Sequence, residues 1–414
     1  MVAPKVSVII PIWNGSEYLN ACLDSLIAHD YPIFEIIAVD NASVDGSAEL
    51  IARRYPQVRL IRNAVNLGFA GGCNAGLKAA HGDILVLLNQ DTIVQPGWLQ
   101  ALVKALQKTK IGVVGCKMLY PDGRTIQHAG GWIEWPLGLA HHYGQGEQDK
   151  GQWDESRPVD YVTGAAMAFR RDVLENVGYM DEGFWPAYYE DVDFCFRARQ
   201  IGYEIWYIHE SLLLHFENSS LKNTGELFYF SEKNRLYFVL KYLIPEKFLS
   251  EFVPLEKTRI LDFVKTIGVY PLRLAYLSAM PIAARVLMKR QIADEETVNK
   301  VLLALRSLYH LTEIYLNDDL NQDEQMVFSG LQEFEFRSAI PIIGPLIAWF
   351  RKTWYNVAAR WAIRHLIQQQ AAINKRQEQI ILEQKRKIFW LERSLMENTL
   401  SLSQEIARLL LESK

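Results

Sequence analysis

Three carboxylates fall within four residues at Glu190, Asp191 and Asp193, in the run Tyr188-Tyr189-Glu190-Asp191-Val192-Asp193-Phe194. So dense an acidic cluster beside aromatic rings is costly unless a cation, a helix N-terminus or a proton transfer uses it. On a helix starting here and running over 192–202, Glu190 and Asp193 share a face while Asp191 points elsewhere. One carboxylate can then act as a general base while the others cap or orient. A further acid, Asp91, follows the apolar run Leu85–Leu88 in Leu88-Asn89-Gln90-Asp91-Thr92. A hard oxygen ligand at the carboxyl end of a strand suits Mg²⁺ or Mn²⁺, which keep waters and bind through few carboxylates plus phosphate oxygens. The same residue could instead cap a helix beginning near Pro96. His215 closes the run Leu212–Leu214 and is either a metal ligand or a satisfied core histidine. With Asp91 it would make a mixed oxygen–nitrogen site.

Two loops add polar groups. Asp40 ends the strand-like run 34–39 and could accept hydrogen bonds from a base or a ribose, whereas Asp45-Gly46-Ser47 reads as turn and cap chemistry. The glycine-rich segment Gly68-Phe69-Ala70-Gly71-Gly72-Cys73-Asn74 precedes a helix, so its N–H groups could approach phosphate or ribose. It has neither G-x-G-x-x-G spacing nor a Walker lysine.

The elements that must position these residues can be read from periodicity. Apolar runs at 6–12, 34–39, 58–61 and 84–88 alternate with amphipathic stretches at 17–27 and 48–55 and with the helix opened by Gly68. Short apolar strands alternating with helices predict βαβ units, and ligands in such sheets bind beyond the carboxyl ends of the strands. Asn14, Asp40-Asn41, Asn66 and Asn89-Gln90-Asp91 all follow strands. From about 223 the pattern turns helical, in runs such as 228–243 and 298–316, punctuated by Pro245, Pro254, Pro271 and Pro281. Near the end, Ile381, Ile388, Leu395, Leu402 and Leu409 recur every seventh residue. This is one seam of a coiled coil, with a poor second seam at Gln384, Leu391, Asn398 and Glu405.

The chain has 414 residues, 50% of them hydrophobic and 22% charged, which places it among globular proteins of two or three units. Its net charge of −4 excludes a nucleic-acid binder relying on bulk positive charge. From Arg351 onward there are 12 basic and 6 acidic residues, so this tail carries +6 and the remainder −10. A basic tail leaves contact with an anionic surface open. Four isolated cysteines fit small core residues in a reducing compartment. No secretory signal is evident, and the longest apolar stretch, 339–350, is too short to span a bilayer.

Six segments in order carry a resemblance: Val-Ile-Ile-Pro-Ile-Trp-Asn-Gly at 8–15, Val-Asp-Asn-Ala-Ser-Val-Asp-Gly-Ser at 39–47 and Asn-Leu-Gly-Phe-Ala-Gly-Gly-Cys-Asn at 66–74 come first. Leu-Asn-Gln-Asp-Thr at 88–92, Val-Thr-Gly-Ala-Ala-Met-Ala-Phe-Arg at 162–170 and Tyr-Glu-Asp-Val-Asp-Phe-Cys-Phe-Arg at 189–197 follow. Over residues 6–220 the chain resembles the family 2 glycosyltransferases, inverting enzymes, and most closely their bacterial rhamnosyltransferase-like subgroup. The resemblance implies an α/β GT-A fold, a Rossmann-like and mostly parallel sheet flanked by helices, followed here by an α-helical C-terminal region with a candidate coiled coil. It implies Asp191 as catalytic base, with Glu190 as the fallback. Asp91 and His215 would be metal ligands for Mg²⁺ or Mn²⁺; Asn89 stands where the family's metal motif has its first acid. Pro11, Asn14, Asp40, Asn41, Gly72, Asn74, Asn89, Gln90, Asp91, Thr163 and Gly164 would form the nucleotide and donor site.

Donor and acceptor preference would lie in loops such as 130–154, where Trp132 and Trp135, joined by Tyr188, are candidate acceptor platforms or simply a hydrophobic flap. The expected division is a catalytic domain at 1–222, a helical extension at 223–340, a linker at 341–352 and a long helix at 353–414. The expected activity moves a sugar from a UDP- or dTDP-sugar, dTDP-rhamnose among the candidates, to a hydroxyl of a glycan or glycolipid acceptor in cell-surface polysaccharide synthesis. The competing reading is a non-catalytic nucleotide-sugar-binding scaffold. No nucleic-acid partner is expected. A cytoplasmic location, peripheral on the inner face of the plasma membrane, and self-association through the tail complete these expectations.

Overall fold

A computed structural model describes residues 3–216, 224–267, 270–290, 294–312, 391 and 393–409. Four strands, β1 (Val6–Ile12), β2 (Glu35–Asp40), β3 (Arg59–Arg62) and β4 (Ile84–Leu88), pair in parallel in the order β3-β2-β1-β4. The helices α1 (Leu19–Ile27), α2 (Ser47–Arg54) and α3 (Gly68–Ala79) connect them. All seven residues of β1 are buried, and alternate side chains feed opposite faces. Val6, Val8, Ile10 and Ile12 join Leu19, Cys22, Leu23 and Leu26 of α1, whereas Ile9 joins Ala70, Cys73 and Leu77 of α3. Burial on both faces is why β1, β2 and β4 read as continuous apolar runs, whereas the edge strand β3 exposes both its arginines.

The remaining strands make the sheet mixed. They are β5 (Thr92–Val94), β6 (Ile111–Leu119), β7 (Ile126–His128), β8 (Gly131–Glu134), β9 (Leu139–His142), β10 (Arg157–Pro158), β11 (Ala166–Arg170) and β12 (Glu204–His215), with helices α4 (Trp98–Leu106), α5 (Arg171–Val177) and α6 (Glu190–Gln200) between them. β11 runs antiparallel between β4 and β6, and β12 pairs in parallel with β6, so the order reads β10-β12-β6-β11-β4-β1-β2-β3. β8 and β9 form a separate hairpin. This is the expected helix-flanked sheet, parallel in β3-β2-β1-β4 and again between β6 and β12. The chain leaves β1 toward β2 and returns on its other side at β4. That reversal opens a crevice at the carboxyl ends of β1 and β4. All four cysteines are buried and unbridged.

Five helices follow: α7 (Thr224–Tyr242), α8 (Pro245–Lys247), α9 (Val253–Ile267), α10 (Tyr270–Arg290) and α11 (Glu295–Leu311). Pro245, Pro254 and Pro271 sit in first turns, where a missing N–H is tolerated. Pro281 does not punctuate; α10 runs through it, flanked by the fully buried Ala279, Met280, Ala283 and Ala284. Packing there outweighs the lost hydrogen bond. A buried charge network ties three of these helices together. Arg235 of α7 meets Glu232 at 2.7 Å and Glu256 of α9 at 2.5 Å, Arg259 meets the same two carboxylates, and Tyr276 of α10 donates to Glu256 at 2.5 Å. Burial opposes ionisation of Glu256, but the two guanidiniums pull its carboxyl down to about 2.

The described residues between 3 and 312 fall in one compact unit. The expected linker at 341–352 and most of the expected long helix lie outside the described residues. Residues 393–409 are helical. Within them Met396, Leu400, Ser403 and Ala407 are buried, while the heptad positions Leu395, Leu402 and Leu409 are exposed. Among the described residues, no helix is long and apolar enough to cross a membrane.

Candidate active site

A cavity of about 720 Å³ occupies the crevice beyond β1 and β4. One end is built by strand pairing. β12 runs antiparallel to β5, with His215 opposite Thr92, which brings the imidazole beside the acid that ends the β4 turn. His215 Nε2 lies 3.3 Å from Asp91 Oδ1 and 3.3 Å from Asn89 Nδ2. Its Nδ1 lies 2.7 Å from Gln127 Oε1. An amide oxygen can only accept, so Nδ1 donates to Gln127 and Nε2 is the ring nitrogen that faces Asp91. With the ring so oriented, Nε2 and Asp91 Oδ1 are the two atoms placed to share a cation. Two protein donors suit Mg²⁺ or Mn²⁺, which leave positions for water and phosphate oxygens. Among the described residues, no group of three or more His, Cys, Asp or Glu side chains gathers as a closed metal cage. The residues therefore fit a cation held jointly with a ligand.

The other end is built by the start of α6. Tyr188 and Tyr189 take left-handed backbone angles, φ 79° and 73°, and turn the chain so that Glu190 and Asp191 face the crevice. Asp191 accepts from Gly164 N at 2.8 Å and from its neighbour Val192 N at 2.7 Å. Burial raises its pKa above the ordinary carboxylate value, opposed by those two N–H groups and by the nearby His142. Glu190 is 4% exposed, and among the described residues its Oε2 has no hydrogen-bond partner. Burial, and then repulsion from Asp191, pushes its pKa well up. Both carboxyls are thus pushed up, Glu190 the further, and Asp191 is the one supplied with two N–H donors. Asp193 is spent on structure. Fully buried, it pairs with Arg197 at 2.8 Å and Lys241 at 2.5 Å, and it accepts from Tyr242 at 2.6 Å.

Pro11, Asn41, Asn89, Gln90, Asp91, Thr163, Gly164, Tyr188, Glu190, Asp191 and His215 all line this cavity, so most of the residues singled out above converge. Gln90 pairs with both the N–H and the carbonyl of Trp13, at 3.0 and 3.1 Å, and so stiffens the loop after β1. Asn14, Asp40, Gly72 and Asn74 are not among the residues that line it. Asn14 Oδ1 accepts from Val44 N, and Asp40 Oδ1 accepts from Ser43 N, so these two fasten the loops after β1 and β2. Asn74 binds both the N–H and the carbonyl of Met180. At Gly72 a Cβ would stand 2.6 Å from Asn41 Nδ2, so glycine there lets Asn41 reach Gly68 O. The α3 N-terminus is largely occupied from within, Gly68 N by Asn66 Oδ1 and Phe69 N by Pro186 O.

Trp132 and Trp135 are not among the lining residues. Trp132 stacks on His141 at 4.3 Å, and Trp135 packs against Phe196 and Phe238. Two residues carried no sequence signal. Gln127 was hidden between Ile126 and His128 in a three-residue strand; besides His215, its backbone carbonyl accepts from His142 Nδ1 at 3.3 Å. Phe230, 39 residues beyond Asp191 on α7, supplies an aromatic face to the same cavity.

Residues 7–178 match the family model described as Glycosyl transferase family 2. The O-antigen biosynthesis protein RfbC of Myxococcus xanthus is 32% identical over 227 residues, covering 52% of this chain and 18% of that protein. The N-acetylglucosaminyl-diphospho-decaprenol L-rhamnosyltransferase of Mycobacterium tuberculosis is 28% identical over 243 residues, covering 52% of this chain and 76% of that enzyme. Among solved structures, GalNAc-T7 with UDP, GalNAc and Mn²⁺ superposes with a TM-score of 0.48 at 18% identity, covering 62% of this chain and 51% of that one. The chain thus spans under a fifth of the first of these relatives.

Proposed function

We propose, for a chain whose residues 7–178 are a family 2 glycosyl transferase domain with rhamnosyltransferase-like relatives, that it transfers a sugar with inversion from a nucleoside-diphosphate sugar to a hydroxyl of a glycan or glycolipid. The donor is a UDP- or dTDP-sugar, dTDP-rhamnose being the first candidate, and the product belongs to cell-surface polysaccharide. One observation carries this reading: a carboxylate supplied with two N–H donors, Asp191, shares a cavity with the Asp91–His215 pair.

The residues then divide the work. Asp91 and His215 would hold Mg²⁺ or Mn²⁺, whose chemistry is to neutralise the charge of the departing nucleoside diphosphate. Asp191 takes the proton of the acceptor hydroxyl, whose oxygen attacks the anomeric carbon from the face opposite the leaving group. Gly164 N–H holds Asp191 Oδ2 and so aims the base. Glu190 stands beside it, its own carboxyl pushed up by burial and by Asp191. Pro11, Asn41, Asn89, Gln90 and Thr163 supply the donor side of the wall, with Asn14 and Asp40 fastening the loops after β1 and β2. Tyr188 and Phe230 offer ring faces to the acceptor.

A panel of UDP-, dTDP- and GDP-sugars screened with Mn²⁺ for thermal stabilisation identifies the donor. With that donor, Asp191→Asn is expected to lower turnover at least 1000-fold while nucleotide affinity stays within about twofold. Wild-type turnover in that variant refutes the assignment of the base. Release of nucleoside diphosphate only when donor and acceptor are both present excludes a non-catalytic scaffold. The basic tail and its exposed leucine seam support placement at the inner membrane face and self-association.

A further inference from the structure

The turn that delivers the acidic pair is gripped from outside the matched family segment. Between Phe184 and Tyr188 five successive backbone carbonyls each lie within hydrogen-bond distance of a donor, the two N–H groups of Asn234 being shared among three of them. Asn234 Nδ2, on α7, lies 2.6 Å from Phe184 O, 2.8 Å from Ala187 O and 3.0 Å from Tyr188 O. Its neighbour Lys233 donates from Nζ to Trp185 O at 2.5 Å. The fifth, Pro186 O, takes the Phe69 N–H at 2.7 Å. Asn234 is fully buried, and three oxygens surround its nitrogen, so the amide orientation is unambiguous.

Two consecutive non-glycine residues with positive φ follow at once, and bulky side chains do not adopt that conformation unless the surroundings impose it. Asn234 imposes it at the carbonyls on either side of the Ala187–Tyr188 link. Tyr189 is pinned from its other end, its hydroxyl donating to Gly138 O at 2.9 Å. Two turns further along α7, Lys241 and Tyr242 hold Asp193, and Tyr237 donates to Asp181. The same helix therefore grips the acidic segment both before and after Glu190 and Asp191.

We propose that Asn234, seconded by Lys233, is a positioning residue for the chemistry: it fixes the Tyr188–Tyr189 turn and thereby the place of the Asp191 carboxylate relative to the Asp91–His215 end. α7 is then part of the catalytic unit. The assignment rests on the transferase reading for its catalytic half only, because the grip itself can be measured without turnover.

The experiment compares wild type, Asn234→Ala and Lys233→Met by amide hydrogen exchange with mass spectrometry and by steady-state kinetics with the donor found in the sugar panel. In Asn234→Ala, peptides covering 184–193 are expected to exchange at least tenfold faster while peptides of β1, β4 and α10 are unchanged. Turnover falls 10- to 100-fold while the donor KM stays within twofold. Lys233→Met, at a half-buried position, shows the same split with a smaller loss and serves if Asn234→Ala does not fold. Unchanged exchange over 184–193 overturns the grip. Faster exchange with turnover retained within twofold, or a parallel change in turnover and donor KM, overturns the catalytic role and leaves a structural one. Inactivity of wild type toward every donor refutes the transferase reading instead, and the exchange result still decides the grip.

Discussion

Replacing Gln127 by leucine removes the oxygen that holds the His215 proton on Nδ1, at a distance of 2.7 Å. The site is buried, with Gln127 3% and His215 8% exposed, so water does not simply take over. A buried N–H left without an acceptor costs about 1–3 kcal/mol. His215 has one local escape: shift the proton to Nε2 and donate it to Asp91 Oδ1, 3.3 Å away. That escape satisfies the ring but ties the two proposed cation donors to each other. Binding a cation then requires reversing the shift, so about 1–3 kcal/mol is lost from binding. At 1.4 kcal/mol per tenfold, this is on the order of 5- to 100-fold in affinity, the range for groups that orient metal-bound histidines. The assay is Mn²⁺ titration in the presence of nucleoside diphosphate, followed by calorimetry or by the loss of the free-ion paramagnetic signal. Gln127→Glu keeps an acceptor oxygen and is expected to stay within threefold of wild type. The His142 contact uses the backbone carbonyl of Gln127 and survives both changes. A folded Gln127→Leu protein with Mn²⁺ affinity within twofold of wild type refutes the argument.

Two further outcomes are expected. Because burial raises the Glu190 pKa, the folded state favours its protonated form, and the stability so gained is present below the ordinary carboxylate pKa and lost as pH rises through the raised value. Glu190→Gln removes that loss, so its melting temperature is expected to exceed wild type by an increasing margin from pH 4.5 to 8; a constant difference contradicts it. Glutamate at Leu395, Leu402 and Leu409 together should lower the mass measured by light scattering if these exposed leucines form the seam between copies, and an unchanged mass removes that role.

Burial on both faces made the central strands legible. Val6–Ile12 and Ile84–Leu88 coincide with their apolar runs, and Glu35–Asp40 and Arg59–Arg62 are displaced by one residue. The convergence of Asp91, His215 and the Glu190–Asp191 pair was legible as residue types after strands, but their spacing depends on the β5–β12 pairing across 120 residues of chain. Asp193 looked like its acidic neighbours because its partners, Lys241 and Tyr242, lie almost 50 residues on. Asn14 and Asp40 follow strands as the rule for such sheets demands, yet their side chains turn back to fasten loops, and only hydrogen-bond geometry tells the two uses apart. Gln127 and Asn234 are single amides in ordinary strand and helix contexts. Each matters for what it faces, and a linear pattern does not encode that.

The cavity has two ends with separate anchors: the Asp91–His215 end stands on strands of the sheet, and the Glu190–Asp191 end hangs from a helix that follows the matched family segment. The distance between them is therefore an adjustable dimension. Substitutions along the cavity face of α7, around Leu227, Phe230 and Ser231, can reshape the Glu190–Asp191 end of the cavity without disturbing a single strand. On the proposed transferase reading, that helix face is the place to randomise in a search for new acceptors.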